Sequence, residues 1–255
     1  MKKHLTIFSL LLILSLTPPL AHSQGKVNST KRLLKAMKKR YDGKWFKAFT
    51  FIQKTIRYNA QGQPSAPATW YEAIRYPNQF RIDIGDLKNG KSVIFAADSA
   101  YRFKQGKLIN TRYDPQHFLL MKGGLYYYSL KKCLRILKKG GYNTNLFHAN
   151  TYKGHPVYVI GAKKGDLKTA QFWLDQAHFY VVRRIRTTRS TPAKVLDVQY
   201  ANHKATGGGW VEQKVSFELN GRLVQVEEYT NIDTSPKLPR DFFDPTQFGK
   251  SHWYK

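Results

Sequence analysis

Apolar positions along this chain follow two different periods, and the switches between them mark out its elements. Leu33, Leu34, Met37 and Tyr41 recur at helical spacing behind Asn28, Ser29 or Thr30 as a cap, which predicts an amphipathic helix ended by Asp42-Gly43. From Trp45 to Tyr58 the period becomes two, with apolar residues on both faces at the start, as expected of a long strand that is not at a surface. The turn-rich Gly62-Gln63-Pro64-Ser65-Ala66-Pro67 follows, and then strands are predicted at 69–76, 79–85, 90–96, 99–104 and 107–112, close enough together for an antiparallel meander. Asn89-Gly90 and Gln105-Gly106 are its tight hairpin points.

Residues 114–141 return to a partly helical period. Asp114-Pro115 starts it, Gly123-Gly124 breaks it in two and Gly140-Gly141 stops it. Strands resume at 145–152, 155–162, 169–175, 179–190, 194–204, 210–219 and 222–233, with Asn220-Gly221 as the strongest hairpin signal and Gly207-Gly208-Gly209 read as a hairpin loop. No polar linker separates the strand-rich halves. The fold expected is mainly β: one large curved antiparallel sheet over residues 24–255, in a single domain, with helices shielding its apolar face.

Ahead of these elements, Lys2 and Lys3 precede an almost unbroken apolar run from Leu5 to Leu16, followed by Thr17-Pro18-Pro19 and Ala21-His22-Ser23. The run is short for a membrane span, and small residues stand where a signal peptidase reads, so residues 1–23 are expected to be a signal peptide removed before Gln24. A retained anchor or buried helix is the alternative. Cys133 is the only cysteine, which excludes an intrachain disulfide scaffold and leaves it as buried packing or an intermolecular bridge. No lipid-accepting cysteine follows the expected cleavage site.

The formal charge of +27 points to an anionic partner. Lys31, Arg32, Lys35, Lys38, Lys39 and Arg40 accompany the first helix, and Lys131, Lys132, Arg135, Lys138 and Lys139 the helical region after Gly124. Either set forms an ordinary solvated helix face or a face that touches an anionic membrane. For an exported protein, anionic lipid or glycan is the expected partner, and nucleic acid is not. There is no His-Glu-x-x-His pair, Gly-x-Ser-x-Gly elbow, phosphate loop or dinucleotide fingerprint, so no metal, cofactor or catalytic residue is assigned. Asp175, Glu212, Glu218, Glu227 and Glu228 lie in predicted strands, where solvated faces and salt bridges account for them as well as paired-acid chemistry does.

Several fragments, in order, resemble the periplasmic lipoprotein-carrier superfamily, the LolA/LolB-like group that includes outer-membrane lipoprotein-sorting proteins. They are Phe51-Ile52-Gln53-Lys54-Thr55, Ile74-Arg75-Tyr76-Pro77-Asn78-Gln79-Phe80-Arg81, Phe172-Trp173-Leu174-Asp175, Gly209-Trp210, Glu227-Glu228-Tyr229, Asn231, Leu238-Pro239, Phe243-Asp244-Pro245 and Phe248. The resemblance implies an incomplete antiparallel barrel around an apolar cavity, lidded by helices, that accepts acyl chains. On that reading the cavity lining draws from Phe49, Phe51, Trp70, Phe80, Phe95, Tyr101, Phe103, Leu130, Leu134, Phe172 and Trp173, with Arg75 and Tyr76 at the hairpin.

Carriers of this type place a cargo-binding arginine immediately before the hairpin proline, whereas this chain has Tyr76 there and Arg75 one residue earlier. Adjacent strand residues face opposite sides, so Arg75 does not inherit the role without a register shift, which favours a related lipid or lipopeptide binder. The expected function is a periplasmic, monomeric, non-enzymatic carrier of acylated cargo between envelope donor and acceptor proteins. The alternative is a structural or regulatory protein on an anionic envelope surface, with no transported lipid.

Overall fold

The computed structural model describes residues 27–115, 117–188, 190–250 and 252–254; the expected signal peptide lies outside them. Ser29 is the cap of helix α1 (Thr30–Tyr41), its hydroxyl accepting from the Arg32 N–H at 3.3 Å. The region predicted as two helical pieces forms three: α2 (His117–Met121), a 3₁₀ turn at Gly124–Tyr127, and α3 (Leu130–Lys139). Gly123 takes φ 140 between the first two, a conformation that costs glycine least, and Ser129 starts the third.

The strands are β1 (Ala48–Arg57), β2 (Ala68–Arg75), β3 (Gln79–Ile84), β4 (Ser92–Ala96), β5 (Ser99–Lys104), β6 (Lys107–Tyr113), β7 (Asn143–Tyr152), β8 (His155–Gly161), β9 (Gln171–Asp175), β10 (Val181–Thr187), β11 (Val195–Ala201), β12 (Lys204–Thr206), β13 (Gly209–Val211), β14 (Lys214–Leu219) and β15 (Arg222–Asp233). Thirteen of them make one antiparallel sheet in the order β6-β5-β4-β3-β2-β1-β15-β14-β11-β10-β9-β8-β7, so the two meanders meet where β1 pairs with β15. β6 and β7 are edges, and the sheet does not close. β6 is exposed along its whole length, with Lys107 and Arg112 among its residues as charges that discourage edge-to-edge pairing.

The strands predicted at 194–204 and 210–219 are each divided. Asn202 adopts φ 55 after Ala201, ending the main-sheet strand, and β12 and β13 then form a separate ribbon whose turn uses Gly207 and Gly208 at positive φ. Trp45 and Phe46 also stand outside the expected strand: the Trp45 N–H bonds back to the Tyr41 carbonyl, and the two rings stack over one another.

Both faces of the β1–β5 half are covered, and this explains its apolar residues on alternate sides. On the concave face, Leu33, Leu34 and Met37 of α1, Leu119 to Met121 of α2, Leu125, Tyr126, and Cys133 and Leu137 of α3 pack over Phe49, Phe51, Ile74 and Phe80. Cys133 is a buried free thiol whose pKa burial raises, as a packing role requires. On the outer face the segment after β15 lies across the strands: Phe242 and Phe243 pack on Ala73, and Phe248 stacks on Phe103 at 4.0 Å. Arg81, buried beside Asp83 at 2.9 Å, sits 4.4 Å from the Phe242 ring, and His252 reaches the same carboxylate at 2.9 Å.

Candidate functional site

Antiparallel pairing sets directly opposed residues on one face, so the concave surface can be read row by row across the strands. One row runs Phe49, Ile74, Phe80, Phe95 and Ala100; the next runs Phe51, Glu72, Ile82, Val93 and Arg102; a third runs Tyr229, Gln53, Trp70 and Ile84; a fourth runs Glu227, Thr55 and Ala68. The helices fill the first of these rows. Beyond their reach an apolar groove of about 420 Å³ remains, lined by Ala68, Trp70, Ile82, Ile84, Val93 and Phe95, with Arg57, Lys91 and Arg102 completing its wall. That volume lies toward the low end of the roughly 300–1,000 Å³ typical of small-molecule sites.

At the inner end of the groove the concave floor turns polar. Glu72 is 3% exposed. Burial pushes its carboxyl well above the usual range, with the nearby Glu227 adding to the shift. Burial likewise raises Glu227, to about 7, against the hydrogen bonds it accepts from Tyr229 at 2.9 Å and Gln225 at 2.6 Å. Lys122, which follows α2, drops into the same cluster largely covered and pairs with the buried Glu212. Desolvation works against the Lys122 ammonium, but Glu212, Tyr200 and Glu72 together outweigh it and raise the pKa. The Lys122 carbonyl accepts from Tyr76 Oη at 2.7 Å, tying the helical segment to the hairpin.

The expected lining residues separate into distinct places. Trp70 and Phe95 line the groove. Phe49, Phe51, Phe80 and Phe172 belong to the concave core, Phe172 packed on Tyr142 at 4.2 Å, and Leu130 and Leu134 pack against that core from α3. Tyr76 is there too, 8% exposed and stacked on Tyr127. Tyr101, Phe103 and Trp173 are corrected to the outer face. Tyr101 opposes Ile94, and Ile94 opposes Arg81; Phe103 opposes Ser92 and lies under Phe248. Trp173 packs with Val157, Val159 and Tyr152, beneath the Arg183 guanidinium at 4.7 Å. Arg75 is corrected in the same way. Its guanidinium donates to the carbonyls of Leu238, Pro239 and Arg240 and sits 4.9 Å from the Phe243 ring, so it anchors the outer segment and does not reach the groove.

The helix cations divide as well. Lys31, Arg32, Lys35 and Lys39 on α1, and Lys131, Arg135, Lys138 and Lys139 on α3, are exposed. Lys38 instead donates to the carbonyls of Leu125, Tyr126 and Tyr128, closing the end of the 3₁₀ turn. Arg40 is bound to the Ala177 carbonyl and packs on Phe179, and Lys132 lies 3.7 Å above the Tyr128 ring. These three are structural cations because their carbons and charges are already used within the fold.

The polar floor was not read from the sequence. In the sequence Glu212 and Glu227 read equally as solvated or paired strand carboxylates, and no motif singles out Glu72 or Lys122. The Glu72 signal was present: period two places it on the same face as Trp70 and Ile74, an apolar face. Among the described residues no group of three or more His, Cys, Asp or Glu is placed to hold a metal ion. No helix among them is long and apolar enough to cross a membrane.

An unclosed antiparallel sheet with helices on its concave face defines the class: an open half-barrel. The solved structures it resembles agree. A putative outer membrane lipoprotein-sorting protein domain from Vibrio parahaemolyticus superposes with a TM-score of 0.60 at 11% identity, over 86% of this chain and 97% of that one. A LolA superfamily protein from Nitrosomonas europaea gives 0.54 at 13% identity, over 82% and 96%. A DUF1329 family protein from Desulfovibrio piger gives 0.57 at 10%, over 86% and 97%. No protein-family model matches the sequence, and neither does any curated protein, so what these likenesses establish is the LolA-like fold.

Proposed function

We propose that this protein is an exported, periplasmic binder and carrier of acyl chains that performs no chemistry on its cargo, working between envelope donor and acceptor proteins. The observation that carries the reading is the apolar groove on the concave face, left open beside the helix-packed rows. Each acyl methylene taken from water into such a groove contributes about 0.8 kcal/mol. A groove that is open at one end also lets its occupant leave. The test is binding of a fluorescent fatty-acid analogue to the protein and to Ala68→Trp, which fills the groove from a half-buried strand end. Binding at least about tenfold weaker in A68W, roughly 1.4 kcal/mol, with unchanged far-ultraviolet circular dichroism, is the expected result. Equal binding by the two proteins would remove the groove as the acyl site.

A second reading, attachment to an anionic envelope surface without cargo, is favoured by the exposed cations of α1 and α3, neighbouring helices on which none of these groups forms an ion pair among the described residues. Each is worth on the order of 1 kcal/mol at an anionic bilayer. Flotation with anionic liposomes should therefore be lost when Lys35, Lys39, Lys131 and Lys138 are all changed to Glu, and should weaken in high salt for the unaltered protein. If both proteins float alike in every salt concentration, the charges serve only as a solvated surface.

A further inference from the structure

We propose that the occupant of the concave groove is a single-chain amphiphile with an anionic headgroup, held tail-inward with its charge at Arg57, Lys91 and Arg102. The inference rests on the acyl-binding reading above and adds to it the chemistry of the head and the direction of entry. The three cations are the only charged members of an otherwise apolar wall, and they come from three different strands or turns: the end of β1, the residue before β4 and the middle of β5. The Arg57 side chain makes one long bond, Nε to Gln225 at 3.3 Å, and faces the Trp70 ring at 5.7 Å. Lys91 and Arg102 form no side-chain hydrogen bond or ion pair among the described residues, and none of the three meets a carboxylate within ion-pair distance.

Charge fixes the orientation. The row from Glu72 through Ile82 and Val93 ends at Arg102, three strand spacings away, or roughly 14 Å. The buried floor at Glu72 and Glu227 offers an anionic head no counter-charge, while Lys91 and Arg102 at the far side of the groove and Arg57 at the exposed end of β1 attract it, so the chain lies inward over Ile82, Val93 and Trp70. The Trp70 indole N–H is buried without an acceptor, a further donor left unused in the groove wall. A neutral amphiphile gains the same apolar burial but nothing from the cations. The charge-dependent part of the affinity weakens with salt because Arg57 and Lys91 are exposed.

The experiment uses displacement of a fluorescent fatty-acid analogue from the full mature chain by palmitate, methyl palmitate, a lysophosphatidic acid and inorganic phosphate at low and high salt. The same series is run on an R57Q/K91Q/R102Q variant, whose thermal unfolding is compared with the parent to confirm folding. Palmitate and the lysophosphatidic acid should bind at least tenfold tighter than the methyl ester to the parent at low salt, and the preference should vanish in the variant while methyl ester binding stays within about twofold. A stronger effect with one head than the other distinguishes carboxylate from phosphomonoester as the source of the charge, and either supports the proposal. Equal affinity of acid and ester for the parent, a preference kept by the variant, or displacement by inorganic phosphate as effective as by the amphiphiles overturns it while leaving acyl binding intact. Binding of no acyl compound at all overturns the underlying reading as well.

Discussion

Replacing Lys122 with methionine is expected to destabilise the protein by about 3–5 kcal/mol, because it leaves the Glu212 carboxylate buried with its cationic partner gone. The ammonium also lies 5.6 Å from the Tyr200 ring and 6.0 Å from the Tyr229 ring, so its charge is compensated from the opposite half of the sheet. Through this residue the segment after α2 is joined to β11, to the residue after β13 and to β15, which lie far from it in sequence. The double variant K122M/E212L removes both charges at similar volume and should recover most of the loss, since an apolar pair avoids the desolvation that the ion pair must overcome. Urea unfolding of the parent, the single variant and the double variant measures both effects. A single variant as stable as the parent, or a double variant no better than the single, would show that Glu212 is neutralised or solvated in another way.

Stability should also fall as pH rises from about 4.5 to about 7, and Glu227→Gln should remove much of that fall. Burial raises the Glu227 carboxyl from 4.5 to about 7, so the folded protein holds this proton where the unfolded chain releases it. A raised acid contributes its full stability below the unfolded value and loses it as pH climbs through the folded one. The shift corresponds to about 3 kcal/mol across that window. Glu72 acts in the same sense, while His203, whose pKa burial lowers, acts in the opposite sense as it becomes protonated in acid. The difference between parent and variant isolates Glu227 from both. E227Q should therefore be the more stable protein at pH 8 and lose that advantage at pH 5, with Tyr229 still donating to the amide oxygen. Parallel pH profiles for the two proteins would place the Glu227 titration at its ordinary value.

The pairing of an apolar groove with an acidic inner floor has a functional consequence for the carrier reading. A protonated Glu72–Glu227 pair presents a nearly neutral floor to an acyl tail, whereas an ionised pair presents a charged and hydrated one. The measurements on E227Q therefore report on the surface against which a bound chain ends as well as on stability.

Most of the strands were legible in the sequence because their signals are local. Period-two alternation marks β1 and turn signals bound β2 to β6, while Gln105-Gly106 and Asn220-Gly221 both take the positive φ that a tight hairpin needs. The Gly123-Gly124 break and the cap ahead of α1 locate helical pieces for the same reason, whereas the Ser129 cap of α3 appears only in the structure. Alternation shows that a strand has two apolar faces but not what covers each one. That is why Phe103, Tyr101 and Trp173 read as lining, although all three lie on the outer face, Phe103 under the C-terminal segment and Trp173 under Tyr152 and Arg183. The same ambiguity set Arg75 at the site when it holds that segment down.

The sequence by itself determined a large, mainly antiparallel sheet with basic amphipathic helices, since helical and strand periods, turns and caps are properties of neighbouring residues. Only the tertiary structure decided that the helices fill one part of the concave face and leave a groove over Trp70, Ile82 and Val93. Tertiary packing also brought Glu72, Lys122, Glu212 and Glu227 together from four distant segments. Burial and charge compensation depend on which segments meet across the sheet, and that is settled by strand order and register, which no local pattern encodes.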